Sequence, residues 1–182
     1  LHMVWNVTDK KGQNVTAFYA QLKDITRRAW STPVTIDDNV GLGLAALNVI
    51  EYQGKVMMIY NNGKGEEVSP VMWFKMSTDG GQTFSTPIQP FSNHIGRNGA
   101  VSFVVDSNGV LQCFFGQRIP GGLSNGVDWL GMWNSVWDGN SWGAVTPVVS
   151  GPPSNAFDPY DARAVVSQGN VILLTYRTDP GR

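Results

Sequence analysis

Apolar residues along this chain come in short, nearly unbroken runs of about six, spaced by polar and Gly-containing turns. Residues 1–6 (LHMVWN), 56–61 (VMMIYN), 110–115 (VLQCFF) and 171–176 (VILLTY) are four such runs. They are too short for helices and too continuous for half-buried strands, so they predict strands covered on both faces. Three of them follow tight turns: Gln53-Gly54-Lys55, Ser107-Asn108-Gly109 and Gln168-Gly169-Asn170. Turns of this kind join antiparallel strands, and the partners are read at residues 47–52, 101–106 and 163–167. After the apolar runs come further β-branched or aromatic segments at residues 16–22, 70–77 and 129–135.

A second pattern marks a fourth strand. Trp30-Ser31-Thr32-Pro33-Val34 returns as Phe84-Ser85-Thr86-Pro87-Ile88, and more loosely as Trp142 through Val148. An aromatic, a small polar pair, Pro and a β-branched residue suit a short outer strand, because Pro cannot donate to a ladder. Each unit is thus four strands, A to D. The chain reads as B-C-D, A-B-C-D, A-B-C-D and A-B. Local propensity allows a helix over residues 18–28, but the repeat favours a strand and turn there. Repeats of this length built from four antiparallel strands are propeller blades; a two-sheet sandwich is the competing architecture. The expected fold class is all-β, a β-propeller of four-stranded antiparallel blades, with about three and a half blades and an incomplete ring. The expected boundaries are 1–36, 37–90, 91–149 and a partial A-B blade at 150–182, all within one propeller region.

Composition agrees. Of 182 residues, 42% are apolar and only 15% charged, with 21 Gly; soluble domains average about 25% charged. Low charge and high Gly favour many strands and turns. The formal net charge of −1 comes with no block of one sign. No basic footprint for nucleic acid or for an anionic membrane surface exists, and no run of 18 apolar residues forms a membrane helix. Cys113 is the single cysteine. It lies in an apolar run and reads as a small buried hydrophobe, with no intrachain disulfide framework. No charged-then-apolar leader opens the sequence, which leaves the compartment open. Asn6-Val7-Thr8 and Asn14-Val15-Thr16 match the glycosylation sequon, a pattern short enough to arise by chance.

Residues 77–84, Ser-Thr-Asp-Gly-Gly-Gln-Thr-Phe, match the pattern S-x-D-x-G-x-T-[FW] in full. They fall between strands C and D. Asp79 is suited to accept hydrogen bonds from turn N–H groups, Gly80 and Gly81 permit positive φ, and Phe84 is placed to bury between blades. Residues 135–142 are a degenerate copy, and residues 23–30 a more eroded one. With this motif in blade register, the chain resembles the Asp-box (BNR-repeat) propellers typified by sialidases. The resemblance implies a structural role for Ser77, Asp79, Gly81, Thr83 and Phe84, away from the substrate mouth.

In propellers the mouth is lined by the loops entering strand A and leaving strand B. His94 and Arg97 lie in one such loop, and Asp158, Tyr160, Asp161 and Arg163 in or beside the next. Clustered Asp, Tyr and Arg suit a polar glycan site; ordinary loop polarity is the simpler reading. Sialidases read a carboxylate with arginines and use a Tyr nucleophile helped by a Glu, since a bare carboxylate would repel an anionic substrate. Residues 160–177 follow the outline of a sialidase segment, with Asp161 at the assisting acid and Arg177 at a carboxylate-binding Arg. Arg118-Ile119-Pro120 spells another sialidase tripeptide, but on the wrong side of its strand. The Asp158-Pro159 pair also resembles five-bladed glycosidases, in which such an Asp acts as base; Asp158 and Asp161 are then the catalytic pair.

The site expectation is therefore Asp161 and Asp158 as catalytic residues, with Arg97, Arg163, Arg177, His94 and Tyr160 binding substrate. No cofactor or metal is expected, because His2 and His94 are far apart. The expected partner is a carbohydrate, not nucleic acid or membrane. The expected function is a sialidase-like propeller that binds glycans or hydrolyses terminal acidic sugars. Its alternatives are a non-catalytic carbohydrate-binding or adhesive propeller, and a truncated propeller without an intact site. The resemblance leans toward an extracellular or periplasmic location. The missing strands at both ends predict either a homodimer or the remainder of a longer propeller chain.

Overall fold

The short apolar runs form strands throughout, and among the described residues no α-helix occurs. The structure, a computed structural model, describes residues 1–8, 15–38, 47–62, 71–91, 94, 100–122, 126–150 and 160–177. In chain order the strands are β1 (His2–Thr8), β2 (Val15–Asp24), β3 (Ala29–Trp30), β4 (Val34–Asp37), β5 (Asn48–Tyr52), β6 (Lys55–Asn62), β7 (Val71–Ser77), β8 (Ser102–Val105), β9 (Leu111–Gly122), β10 (Gly126–Val136), β11 (Thr146–Ser150), β12 (Tyr160–Ser167) and β13 (Val171–Arg177).

Among the described residues all pairing is antiparallel and between strands close in sequence. The sheets are β1-β2 with β3 and β4 on the far edge of β2, then β5-β6-β7, then β8-β9-β10-β11, then β12-β13. Residues 18–24 continue β2 and end in a turn at residues 25–28, where a helix was the other option. Strand D of the second unit is reduced to one bridge. Phe74 and Ile88 exchange both N–H···O bonds, at 2.8 and 3.0 Å, and Ser85 N–H donates to Met76 O at 2.9 Å. Pro87, next to Ile88, has no N–H, so the ladder stops there.

The core lies between the sheets. Tyr19, Ala17 and Ile36 of the first sheet pack on Val56, Met58 and Tyr60 of the second. Met57, Ile59 and Phe74 of the second pack on Val101, Leu111, Cys113 and Phe115 of the third. Phe114, Val104 and Met132 of the third meet Ala162, Ile172 and Leu174 of the fourth. Full burial of each of the Val, Ile, Leu, Met and Phe side chains contributes about 1.5–3 kcal/mol. Strands β6 and β9 are therefore covered on both faces, as their unbroken apolar runs require. Burial holds the Cys113 thiol well above its usual pKa, so it stays an inert apolar group.

These faces also correct a register. Aligning residues 56–61 with 110–115 pairs Val56 with Val110. In the structure Val56, Met58 and Tyr60 face the preceding sheet, and so do Leu111, Cys113 and Phe115. Val56 is thus equivalent to Leu111. A slip of one residue moves a strand's side chains to the opposite face.

Polar bonds fasten neighbouring sheets. His2 bridges the Tyr19 hydroxyl and the Glu51 carboxylate, 2.7 Å from each. Tyr60 O–H donates to Asp37 Oδ2 at 3.0 Å. Tyr52 O–H donates to Gly109 O at 2.7 Å, and Lys55 Nζ to Gly139 O at 3.2 Å. Ala164 N–H donates to Ser102 Oγ at 2.9 Å.

Candidate functional site

The A strands of successive sheets lie side by side at the end where each begins. Asn48 Nδ2 donates to Val101 O at 2.6 Å, and Ala162 N–H to Ala100 O at 3.0 Å. The B strands finish at this same end. It is the candidate site. The opposite end carries the tight A-to-B turns and the C-to-D loops.

His94 is the best-defined of the expected site residues. Its N–H donates to Phe91 O at 2.9 Å, which fixes the start of the D-to-A connection. Its half-buried ring meets Trp133 edge-on, with centroids 5.0 Å apart at 71°, and Phe115 at 6.1 Å and 89°. Phe91 stacks on Phe115 at 4.6 Å and 14°. Burial lowers the His94 pKa, so the imidazole is neutral near pH 7, one nitrogen a donor and the other an acceptor. Sequence reasoning passed over Trp133 and Phe115. Their signal was available: they are cross-strand partners within the β9–β10 ladder, one residue past the level at which β8 begins.

The remaining expected residues divide by position. Tyr160 opens β12 and Arg177 closes β13, and the two are register partners at the site end. A shift in register follows Tyr160, so Asp161 lies in an irregular stretch before Arg163. Arg163 is exposed and its guanidinium donates to Ala162 O at 2.9 Å. Along β12 it alternates with Val165 on the face that no described sheet covers. Arg97 and Asp158 lie outside the described residues.

A carboxylate–phenol pair also sits at this end. Asp37 closes β4, and Tyr60 donates to it from a fully buried position. Burial first, then the Asp37 charge and that hydrogen bond, push the Tyr60 pKa well up. The phenol stays protonated and works as a fixed donor that orients Asp37. No group of three or more His, Cys, Asp or Glu side chains suited to a metal occurs among the described residues.

At the far end, the loop at residues 77–84 is tied to itself. Asp79 Oδ1 accepts from Gln82 N and Thr83 N at 2.9 Å each, and Thr83 Oγ1 donates to Oδ2 at 2.6 Å. Ser77 Oγ donates to Asp79 Oδ1 at 2.7 Å and accepts from Gly81 N at 2.8 Å. The Thr83 bonds, then the Ser77 bond, hold the Asp79 carboxyl far below its usual range. Asp138 accepts from Asn140 N and Ser141 N at 2.8 and 2.7 Å, and its pKa is lowered by the same kind of bond. Asp24 accepts from Thr26 N and Arg27 N at 2.9 and 3.0 Å. Three C-to-D turns thus share one device. Phe84 meets Tyr19 of the sheet before it at 5.2 Å, and Trp142 meets Phe74 of the sheet before it at 6.0 Å.

Successive antiparallel sheets, stacked face to face with their A strands adjacent, make this chain an arc of a β-propeller. Solved structures of this fold include an α-L-arabinofuranosidase of Fusarium graminearum bound to an iminosugar inhibitor. It is 13% identical over 96% of this chain and 52% of that one, with a TM-score of 0.65. A Penicillium chrysogenum α-L-arabinanase complexed with arabinobiose is 12% identical over 96% and 52%, with a TM-score of 0.64. An endo-arabinase of Bacteroides thetaiotaomicron is 11% identical over 97% and 69%, with a TM-score of 0.51. The chain spans about half the length of the first two. No family model matches the sequence, and no curated protein matches it either.

Proposed function

We propose that this chain is a glycan-acting propeller arc that takes a saccharide at the end where its A strands begin. The observation that carries this reading is His94, a neutral, half-buried imidazole braced by Trp133 and Phe115 at that end. A neutral imidazole offers one donor and one acceptor to sugar hydroxyls without imposing a charge. The fold supports the same reading. Two of the structures it resembles carry an arabinobiose or an iminosugar. Neutral furanose oligosaccharides are accordingly the first substrate class to test.

The finer reading is hydrolysis of a terminal acidic sugar. There Asp161 and Asp158 act as acid and base, and Arg97, Arg163, Arg177 and Tyr160 hold the substrate. The register pairing of Tyr160 with Arg177 supports it, since it brings two of these positions to one rung. A guanidinium reads a carboxylate through paired bonds that a neutral sugar lacks.

Turnover of a fluorogenic α-L-arabinofuranoside and of a fluorogenic sialoside, with each ligand's binding measured alongside, tests both readings. The proposal expects saturable binding of at least one. In an enzyme, Asp161→Asn should abolish turnover and keep binding. Arg177→Ala should weaken the sialoside far more than the arabinofuranoside if the acidic reading holds, and equal effects would remove it. Binding without turnover would make the chain a lectin-like propeller. A folded chain that binds neither class would overturn the proposal.

A further inference from the structure

We propose that Asp37 is a sugar-hydroxyl acceptor at the candidate site, positioned by Tyr60, and that it selects neutral saccharides over acidic ones. This rests on the reading that this end of the arc takes a saccharide. The repeat puts Asp37 at a position that is aromatic in the next unit. Asp37 stands as far after Trp30 as Phe91 does after Phe84. Strand pairing agrees, since Tyr19 pairs with Val34 as Phe74 bridges to Ile88. On the facing sheets Tyr60 and Phe115 are equivalent, each one residue past the level at which its A strand begins.

Two neighbouring junctions therefore hold different pairs at one place. Phe91 stacks on Phe115 at 4.6 Å and is 5% exposed. Tyr60 O–H donates instead to Asp37 Oδ2 at 3.0 Å, and Asp37 is half-buried. The ring stack shows that packing needs nothing polar here. A carboxylate and a phenol cost desolvation, which their mutual bond only offsets. Breaks of this kind in a local packing pattern fall at functional positions.

An ionised carboxylate only accepts, and its two oxygens offer about four lone-pair sites, so it can take sugar hydroxyls besides Tyr60. It repels a carboxylate on an incoming sugar. Tyr60 is fully buried and stays protonated, which keeps its donor on Asp37. Lys75 Nζ donates to Ile36 O, so the residue before Asp37 is also tied to the second sheet. At the same level of the next junction His94 packs edge-on against Phe115. The site thus presents a fixed acceptor beside a neutral imidazole, a set matched to hydroxyl groups.

Isothermal titration calorimetry of the intact chain with arabinobiose, and separately with a sialoside, tests this. Asp37→Asn keeps the side-chain shape and removes the charge. It should weaken arabinobiose about fivefold to tenfold and leave the sialoside unweakened. The double variant Asp37→Phe with Tyr60→Phe restores the aromatic pair of the next junction. It should hold its melting temperature within a few degrees and weaken arabinobiose about tenfold to a hundredfold, the loss of a charge-assisted bond. A pair that serves packing alone would give the reverse, a lower melting temperature with unchanged affinity. If the double variant does not fold, Asp37→Asn decides alone. Unchanged arabinobiose affinity, or equal losses for both ligands in Asp37→Asn, would overturn this assignment and leave the saccharide reading standing. A parent chain that binds only the sialoside would do the same. A parent chain that binds neither would overturn both.

Discussion

Asp79 accepts from Ser77, Gln82 and Thr83, all within its own loop. Its folded pKa is depressed, so the stability it contributes is present above the ordinary carboxylate pKa of about 3.9. That stability is lost as pH falls toward the folded value. Asp79→Asn should therefore lower the melting temperature at pH 7 and flatten its fall between pH 5 and the acid limit, in a range set by those two pKa values. Scanning calorimetry across pH checks this, and an unchanged pH slope would contradict it. Ligand affinity of the folded variant should not change, because the loop lies at the far end from His94.

Gly81 makes a sharper prediction. Its φ is +87°, and a β-carbon would run into the ring and hydroxyl of Tyr19 on the neighbouring sheet. Gly80, at φ +71°, faces open space. Gly80→Ala should cost about 1–2 kcal/mol from backbone strain. Gly81→Ala should cost about 2–4 kcal/mol, because overpacking adds to the same strain. Denaturant unfolding of the two variants separates these effects; equal losses would show that the Tyr19 contact carries nothing. The motif at residues 77–84 made the turn itself legible in the sequence. It did not disclose the Tyr19 contact, which arises only when two sheets stack.

At the scale of elements, strand identity was readable because burial on both faces forces nearly continuous apolar runs. The β6 and β9 runs show this, as does the turn ahead of each. What the runs could not supply was register. An unbroken apolar segment has no alternation to distinguish its two faces, so the match of Val56 to Val110 looked as good as the match to Leu111. The packing of Leu111, Cys113 and Phe115 against the second sheet decides it. The outer strand was legible in the reverse sense. The Pro that marks it, Pro87, also cuts it to a single bridge. His94 was found from its place between strands, while Trp133 and Phe115 were passed over as ordinary strand residues. Their contribution is visible only as ring contacts within the β9–β10 ladder, beside the start of β8. Replacing His94 by Ala should weaken saccharide binding between about twofold and about a hundredfold, the loss of one or two hydrogen bonds worth about 0.5–1.5 kcal/mol each. Its melting temperature should move little, since the ring is only half buried.

Taken as a whole molecule, the arc has two ends with different work. One end is closed by short turns whose carboxylates bind their own backbone, at Asp24, Asp79 and Asp138. The other gathers the A-strand starts and B-strand ends, with His94, the Tyr160–Arg177 rung and the Asp37–Tyr60 pair. The reading that this second end takes a saccharide is tested most directly by amide chemical-shift mapping of the isotope-labelled chain titrated with arabinobiose, and in parallel with a sialoside. Saturable shifts are expected for at least one ligand, concentrated at His94, Phe115, Trp133 and the residues flanking Tyr160 and Arg177, with residues 77–84 and 138–141 unmoved. Shifts centred on those C-to-D turns, or a folded chain whose spectrum neither sugar perturbs, would contradict it.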